Sequence, residues 1–372
     1  MNNIKSMCFN DIDTKDTRMR IAQLPLIAAL MALMCTATRA QPRKTLEVYF
    51  IDVEGGQSTL LVSPSGQSLL IDAGWPGARD ADRITAVAKL AGIARIDFLV
   101  LTHYHVDHAG GVPELASRIP IRNFVDHGPT HDPLVNVPQY YAAYLAVREK
   151  GKHILAKPGE KIPIDGIDVQ IISAAAQTIS KPLAGAGAPN PSCAEFQPKD
   201  ELKDPMVGGE NKQSVGMIIS LGKCRMADFG DLTWNKEHDL ACPNNLLGAV
   251  DVYVVSHHGK ETSSLPMLVH AMHPRVAVMN NGANKGAELP TFATLKSSPG
   301  LQDLWQLHYG VEAAKRNSPE QFLANLGVEG TKDSGVPNES PANYIKLSAR
   351  PDGGFAITNS RNGFSKEYDP IQ

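Results

Sequence analysis

Between Thr102 and Gly111 the chain reads Thr-His-Tyr-His-Val-Asp-His-Ala-Gly-Gly, so His103, His105, Asp107 and His108 fall within six positions. Imidazole nitrogens and carboxylate oxygens are the common side-chain ligands for zinc and similar transition ions. The cluster follows the apolar run 96–101, which reads as a buried strand because nearly every position is apolar. A strand that ends in a tight loop can aim several such groups at one point. Histidines scattered over a surface do not produce this spacing. The segment is a candidate metal loop.

The elements that must position it can be read on both sides. Residues 46–52, 58–62 and 68–72 read as strands, separated by the turn sequences Glu54-Gly55-Gly56 and Pro64-Ser65-Gly66. An amphipathic helix is expected over 80–91, stopped by Gly92, a short helix over 112–117 and a further helix over 139–150. Further strands are expected over 167–173, 214–221, 225–229, 249–256 and 276–279, with helices over 266–272 and 290–298. A terminal hairpin pairs 344–349 with 354–358. Two stretches, 174–209 and 310–341, lack periodicity and read as irregular surface excursions. Two groups of strands with helices between them, and ligand candidates at strand C-terminal ends, point to a sandwich of two sheets with outer helices.

Composition sets limits on function. Arg18 and Arg20 precede the apolar run 21–35, which ends in Thr36-Ala37-Thr38-Arg39-Ala40, the layout of a secretory signal peptide cleaved after Ala40. Gln23 and Pro25 interrupt the run, and it is short for a membrane anchor. Met34 disfavours lipidation at Cys35. The expectation is therefore a signal peptide over 1–40, a single domain over 41–372, and a periplasmic or secreted destination with no membrane span after processing. Residues 41–372 carry 31 basic and 36 acidic residues, so no basic field marks a dedicated nucleic-acid binder. Of the three cysteines left, Cys193 and Cys242 lie in Pro/Asn-rich loop sequence and Cys224 in a strand. A Cys193–Cys242 disulfide is expected, since an oxidising compartment favours pairing.

The motifs, taken together, resemble the metallo-β-lactamase superfamily. His103-x-His105-x-Asp107-His108 followed by Gly110-Gly111 is similar to its signature loop, and Leu69-Leu70-Ile71-Asp72-Ala73-Gly74 to its early strand motif. Phe229-Gly230-Asp231-Leu232 resembles the motif of the bridging aspartate, and Ser256-His257-His258-Gly259 the late histidine motif. Within the superfamily, Phe50-Ile51-Asp52-Val53-Glu54-Gly55-Gly56-Gln57-Ser58 is similar to the opening turn of the branch that includes the ComEC/Rec2 soluble domain and phosphorylcholine esterases. It departs at Glu54, Gly55 and Gln57.

The resemblance implies an α/β fold, a four-layer αβ/βα sandwich of two mixed β-sheets with outer helices. It also implies two divalent metal ions, zinc by ligand type, with manganese or iron as alternatives. His103 and His105 would serve one ion, and Asp107, His108 and His258 the other. Asp231 would bridge ions about 3.5–4 Å apart, holding a hydroxide between them for attack on a phosphoryl or carbonyl centre. Asp107 and His257 are then the candidates for moving protons or contacting substrate. Asp72 would orient a ligand. Where most members carry a third histidine, this chain has Asn211-Lys212-Gln213-Ser214, which makes Asn211 and Ser214 candidates for lining the substrate site. His127, His131 and His153 are the alternatives for the missing ligand. The expected function is hydrolysis of a phosphodiester or phosphate ester of small-molecule size. The alternatives are a lactone or β-lactam hydrolase, or a metal-binding module without catalysis.

Overall fold

The computed structural model describes residues 45–130, 137–197, 209–327 and 342–371, all within one compact unit, Arg43–Gln372. The expected signal segment and His131 lie outside the described residues.

The central strands follow from apolar runs buried on both faces, while the edge strands of one sheet are polar and exposed. The strands of the first half are β1 (Leu46–Phe50), β2 (Thr59–Val62), β3 (Ser68–Ile71), β4 (Ile96–Val100), β5 (Ile121–Asp126) and β6 (Lys152–Leu155). The second half begins with β7 (Lys161–Ile162), β8 (Asp168–Ala174), β9 (Gln177–Thr178), β10 (Gly216–Leu221) and β11 (Cys224–Asp228). It continues through β12 (Val252–Val254), β13 (Val276–Met279), β14 (Asp303–His308) and β15 (Leu323–Asn325). The chain then returns as β16 (Ile345–Ala349), β17 (Phe355–Asn359) and β18 (Ser365–Tyr368). The first sheet runs β18-β17-β16-β1-β2-β3-β4-β5-β6, the second β15-β14-β13-β12-β11-β10-β8-β7 with β9 beside β8. Both sheets are mixed. β3 to β6 are parallel, as are β11 to β15, and the remaining neighbours are antiparallel.

Alternation along each strand divides the core into three layers of contact. On β4, Phe98 and Val100 face the second sheet, while Leu99, and Leu101 just beyond the strand, face the helices. On β13, Val276 and Val278 face the first sheet, and Ala277 and Met279 the other helices. Double burial explains why these strands read as continuous apolar runs. The outer layers are α1 (Ala78–Leu90), α2 (Val106–Ala109), α3 (Val112–Arg118) and α4 (Val137–Arg148) on one side. On the other lie α5 (Trp234–Ala241), α6 (Pro266–Met272) and α7 (Leu289–Ser297). In α1 the buried Ala81, Ile84, Val87 and Ala88 recur at three- and four-residue spacing, the stripe that docks a helix on a sheet. The arrangement is the expected four-layer αβ/βα sandwich.

Several elements depart from the sequence reading. The terminal hairpin is a three-stranded meander, and β16 pairs with β1 to extend the first sheet. Helix α5 and strands β6, β14, β15 and β18 were not expected. The described part of 174–209 is partly ordered, since Thr178 pairs with Ser173 and a 3-10 turn spans Pro191–Glu195. Cys193 and Cys242 form the expected disulfide, tying this turn to the C-terminal end of α5, and Cys224 is a buried free thiol. The bridge closes a loop of 49 residues. Loops of that size stabilise a fold by about 2–4 kcal/mol when closed. Urea unfolding with and without a reductant should show a loss of that order, absent in a Cys193→Ser variant.

A buried ion pair clasps the two sheets at one edge. His308, at the end of β14, lies with Nε2 2.6 Å from Asp52 Oδ1, just beyond β1. Arg83 Nη1 stands 3.1 Å from Asp52 Oδ2 and 3.6 Å from Glu54 Oε1. Asp52, Glu54 and His308 could in principle hold a metal, but the guanidinium already supplies the positive charge. Burial opposes charge on both partners. It is outweighed by their mutual attraction, so His308 titrates above its ordinary 6.5 and Asp52 below its ordinary 3.8. The sign follows from linkage. The pair's contribution is complete between roughly pH 4 and 6.5, and declines as pH rises through the raised histidine value. A His308→Gln variant should lose about 3 kcal/mol near pH 6. Its urea midpoint should vary less with pH between 6.5 and 9 than that of the unmodified chain.

Candidate metal centre

The C-terminal ends of β3, β4, β11, β12 and β13 meet at one edge of the sandwich, and the candidate ligands leave the strands there. Asp72 ends β3 with a positive φ of 58°, a conformation that aspartate tolerates. Its Oδ1 accepts Thr102 N at 2.7 Å. Its Oδ2 accepts Thr102 Oγ1 at 2.7 Å and lies 2.7 Å from His108 Nδ1. With Nδ1–H donated to this carboxylate, His108 presents the Nε2 lone pair inward, the usual device for setting a ligand's tautomer. Gly111 lets the loop close over β3, because a Cβ there would lie 2.0 Å from Ala73 O.

The second sheet supplies the opposing wall. Phe229 is buried among the outer helices, and Gly230 turns the chain so that Asp231 follows at the cleft. His257 and His258 both have positive φ, 54° and 57°, in the turn after β12. His258 Nδ1 meets Asn280 O at 3.2 Å, leaving its Nε2 for the centre. Gly286, at φ 71°, packs so closely that a Cβ would lie 2.0 Å from His258 O.

Two adjoining pockets result, with Asp231 common to both. Asp107, His108, Asp231 and His258 offer four ligand atoms all within 4.8 Å of one another. His103, His105 and Asp231 offer a second such set. Asp231 Oδ1 is 3.4 Å from both His108 Nε2 and His258 Nε2, while Oδ2 faces His103 Nε2 at 3.8 Å. One carboxylate thus turns one oxygen toward each pocket. This is the geometry of a bridging ligand.

The donor set fits divalent metal. His103, Asp107, His108, Asp231 and His258 are nearly fully buried, and Asp231 Oδ1 has no hydrogen-bond partner among the described residues. Burial would raise the Asp231 carboxyl, but His108, His258 and His257 hold it well below the usual carboxylate range. Burial would likewise lower His108, but Asp231, Asp107 and Asp72 hold it well above the usual histidine range. His103 is pushed well down by burial and by its neighbours His108 and His105. Buried carboxylates and inward-facing imidazole nitrogens thus create a demand for positive charge that a metal ion satisfies while displacing protons.

Around the pockets, His257 Nε2 lies 3.5 Å from Asp231 Oδ2 and 3.4 Å from Asn211 Nδ2, with Nδ1 2.8 Å from Thr262 Oγ1. It faces the His103 side, where His258 does not. Burial, with Lys260 and His258 adding to it, pushes His257 down to about 3 despite Asp231, so the ring is neutral near pH 7. Ser214 is buried close by, its hydroxyl without a partner among the described residues. His127 and His153 pair with other carboxylates, Glu210 Oε1 at 2.7 Å and Asp126 Oδ1 at 3.0 Å, and neither is turned to the pockets. His308 is in the sheet clasp and Trp305 in the core.

Two features were missed from sequence. Glu210 is fully buried and accepts Tyr104 N, His127 Nε2, Thr130 Oγ1 and Gln213 Nε2, locking the Asn211 turn to the metal loop. Lys285, on the loop after β13, ion-pairs with Asp107 Oδ2. Its position after a strand that ends at the ligand edge was the available signal.

Residues 51–279 match the sequence profile of the Metallo-beta-lactamase superfamily. With the fold and the paired ligand clusters, the chain belongs to that superfamily and is a metal-dependent hydrolase. It is similar to Recombination protein 2 of Haemophilus influenzae, 22% identical over 285 residues, covering 76% of this chain and 30% of the relative. A shorter likeness, 39% over 67 residues, joins it to Ribonuclease Z of a Bradyrhizobium species, covering 18% and 21% of the two chains. The matched parts thus span less than a third of either relative. Among solved structures, the metallo-beta-lactamase fold protein YhfI of Bacillus subtilis is 11% identical, covering 70% of this chain and 95% of that one with a TM-score of 0.42. No helix among the described residues is long and apolar enough to cross a membrane.

Proposed function

We propose that the protein is an exported phosphodiesterase or phosphate-ester hydrolase of the branch that resembles the Rec2 soluble domain. The observation that carries this reading is the His257–Asn211 wall. At the place of the superfamily's third histidine stands Asn211, in contact with His257, so the His103 pocket has three ligands and a polar, unliganded flank. A tetrahedral phosphate needs several donors arranged in three dimensions, and this flank offers an amide and an imidazole beside the paired pockets. The partial likeness to a ribonuclease supports the same chemistry, and that to Recombination protein 2 supports the branch. The Cys193–Cys242 disulfide supports export, because such bonds persist in oxidising compartments.

Two bound divalent ions, zinc in the first instance, would supply Lewis acidity and an activated water. The chain's own residues do the rest. Asp72 and Asn280 O set the tautomers of His108 and His258, Asp231 holds the two pockets in register, and Asn211 and His257 hold the ester in place. His257 is neutral, with Nδ1 2.8 Å from Thr262 Oγ1; in the tautomer that carries its proton on Nε2, that nitrogen donates to a substrate oxygen in place of its contact with the Asn211 amide.

Protein loaded with zinc or manganese should cleave bis-(p-nitrophenyl) phosphate, and His257→Ala should lower kcat/KM by about 10²–10³ while retaining both metals. Turnover of nitrocefin or an acyl lactone in preference to the diester would overturn the phosphate reading and favour cyclic amide or lactone hydrolysis.

A further inference from the structure

Lys285 occupies an unusual place for a cation. Its side chain is 9% exposed, its ammonium pairs with Asp107 Oδ2, and it lies 4.7 Å above the Trp75 ring. Asp107 is also within 3.1 Å of His258 Nε2 and 3.4 Å of His108 Nε2, so Lys285 stands at the rim of a pocket built for a metal ion. Two positive charges this close repel each other unless negative charge lies between or beside them. Asp107 is one such charge, but a metal ion bound there would share it.

The loop that carries Lys285 is built to hold it in position. Gly282 N donates to Lys285 O at 3.0 Å, Ala287 N to His258 O at 2.9 Å, and Glu288 N to Gly259 O at 2.9 Å. The loop is thus fastened through Ala287 and Glu288 to the backbone of the late histidine turn, closed on itself at Lys285 O, and Lys285 packs on Trp75. Trp75 Nε1, on the ring beneath Lys285, is buried without a hydrogen-bond partner among the described residues.

We propose that Lys285 binds a negatively charged oxygen of the substrate beside the Asp107 pocket, which makes the enzyme select anionic esters over neutral ones. The proposal rests on the phosphate-ester reading for its substrate class. Its physical basis is independent of that reading, because it needs only an anion next to a rigidly held ammonium. The Trp75 ring lies 4.7 Å from the ammonium and keeps water from one side of the charge, which strengthens attraction to an anion.

The test uses the full chain loaded with metal, with inorganic phosphate as probe. Lys285→Gln and Lys285→Met should each keep two ions per chain by elemental analysis. Their affinity for phosphate, measured by calorimetry, should fall at least about tenfold, the scale of one charged hydrogen bond. Lys285→Arg should stay within about threefold, because it preserves the charge. In the neutral variants the preference for bis-(p-nitrophenyl) phosphate over p-nitrophenyl acetate should narrow by a similar factor, chiefly through KM for the diester. Unchanged phosphate affinity with both metals present overturns the proposal. So does loss of metal in the neutral variants, which would make Lys285 a support for Asp107 alone. If the wild type fails to cleave the diester while the variants still lose phosphate affinity, the phosphate-ester reading fails and the anion site stands.

Discussion

Asp231→Ala should reduce the bound metal from two ions per chain to one or fewer and lower hydrolysis by at least a thousandfold. The size of the effect follows from the place of Asp231 between the two pockets. Oδ1 faces the pocket of Asp107, His108 and His258, and Oδ2 that of His103 and His105, so one substitution would remove a candidate ligand from both. Metal-assisted charge stabilisation is worth several kcal/mol, and each 1.36 kcal/mol is a factor of ten in rate. Replacing His105 should be milder, because it removes one ligand from one pocket and leaves the shared carboxylate in place. Elemental analysis with a single hydrolysis assay checks both variants. Two retained ions in Asp231→Ala would show that the carboxylate does not bridge.

The second large effect is expected at Asp72, which touches no pocket directly. The Asp72→Ala change leaves Thr102 N, Thr102 Oγ1 and His108 Nδ1 without their acceptor in a fully buried place. Each unmet group of this kind costs about 1–3 kcal/mol, so a loss of about 3–5 kcal/mol in unfolding free energy is expected. Asp72→Asn separates fold from function. Its amide oxygen still accepts Thr102 N, so most stability should remain. Its NH₂ faces His108 Nδ1 and forces that nitrogen to accept, which puts the imidazole proton on Nε2, where the metal lone pair is needed. Metal affinity should then fall about 10–100-fold at nearly unchanged stability. Chelator competition against urea denaturation measures the two quantities separately, and an Asp72→Asn protein with native affinity would refute the orienting role.

Much of the centre was legible in the sequence, for a local reason. His103, His105, Asp107 and His108 are neighbours in one loop, Asp231 closely follows β11, and His258 closely follows β12. Strand–loop boundaries are marked by the change from apolar runs to polar and glycine residues, and ligands at such boundaries declare themselves. Burial on both faces also made β4, β10 and β13 easy to read. By contrast, β6 (Lys-His-Ile-Leu) and β18 (Ser-Lys-Glu-Tyr) are exposed edge strands whose polar composition hides their pairing. The helix α5 begins at Trp234 inside charged sequence and buries only Leu240, Ala241 and the polar Glu237, so no apolar stripe announces it.

The kind of chemistry was legible along the chain: nitrogen and oxygen donors at the ends of buried strands, in motifs that resemble a family of two-metal enzymes. How those donors divide was not, because it depends on the folding of distant segments against each other. Which oxygen of Asp231 faces which pocket, and that His257 turns toward Asn211 while His258 turns toward Asp107, depend on two turns from different parts of the second sheet. Lys285 meets Asp107 across 178 positions, and His308 meets Asp52 across 256. Such contacts leave no periodic or compositional trace along the chain, because they arise from the order in which the strands pair and the edge at which the two sheets meet.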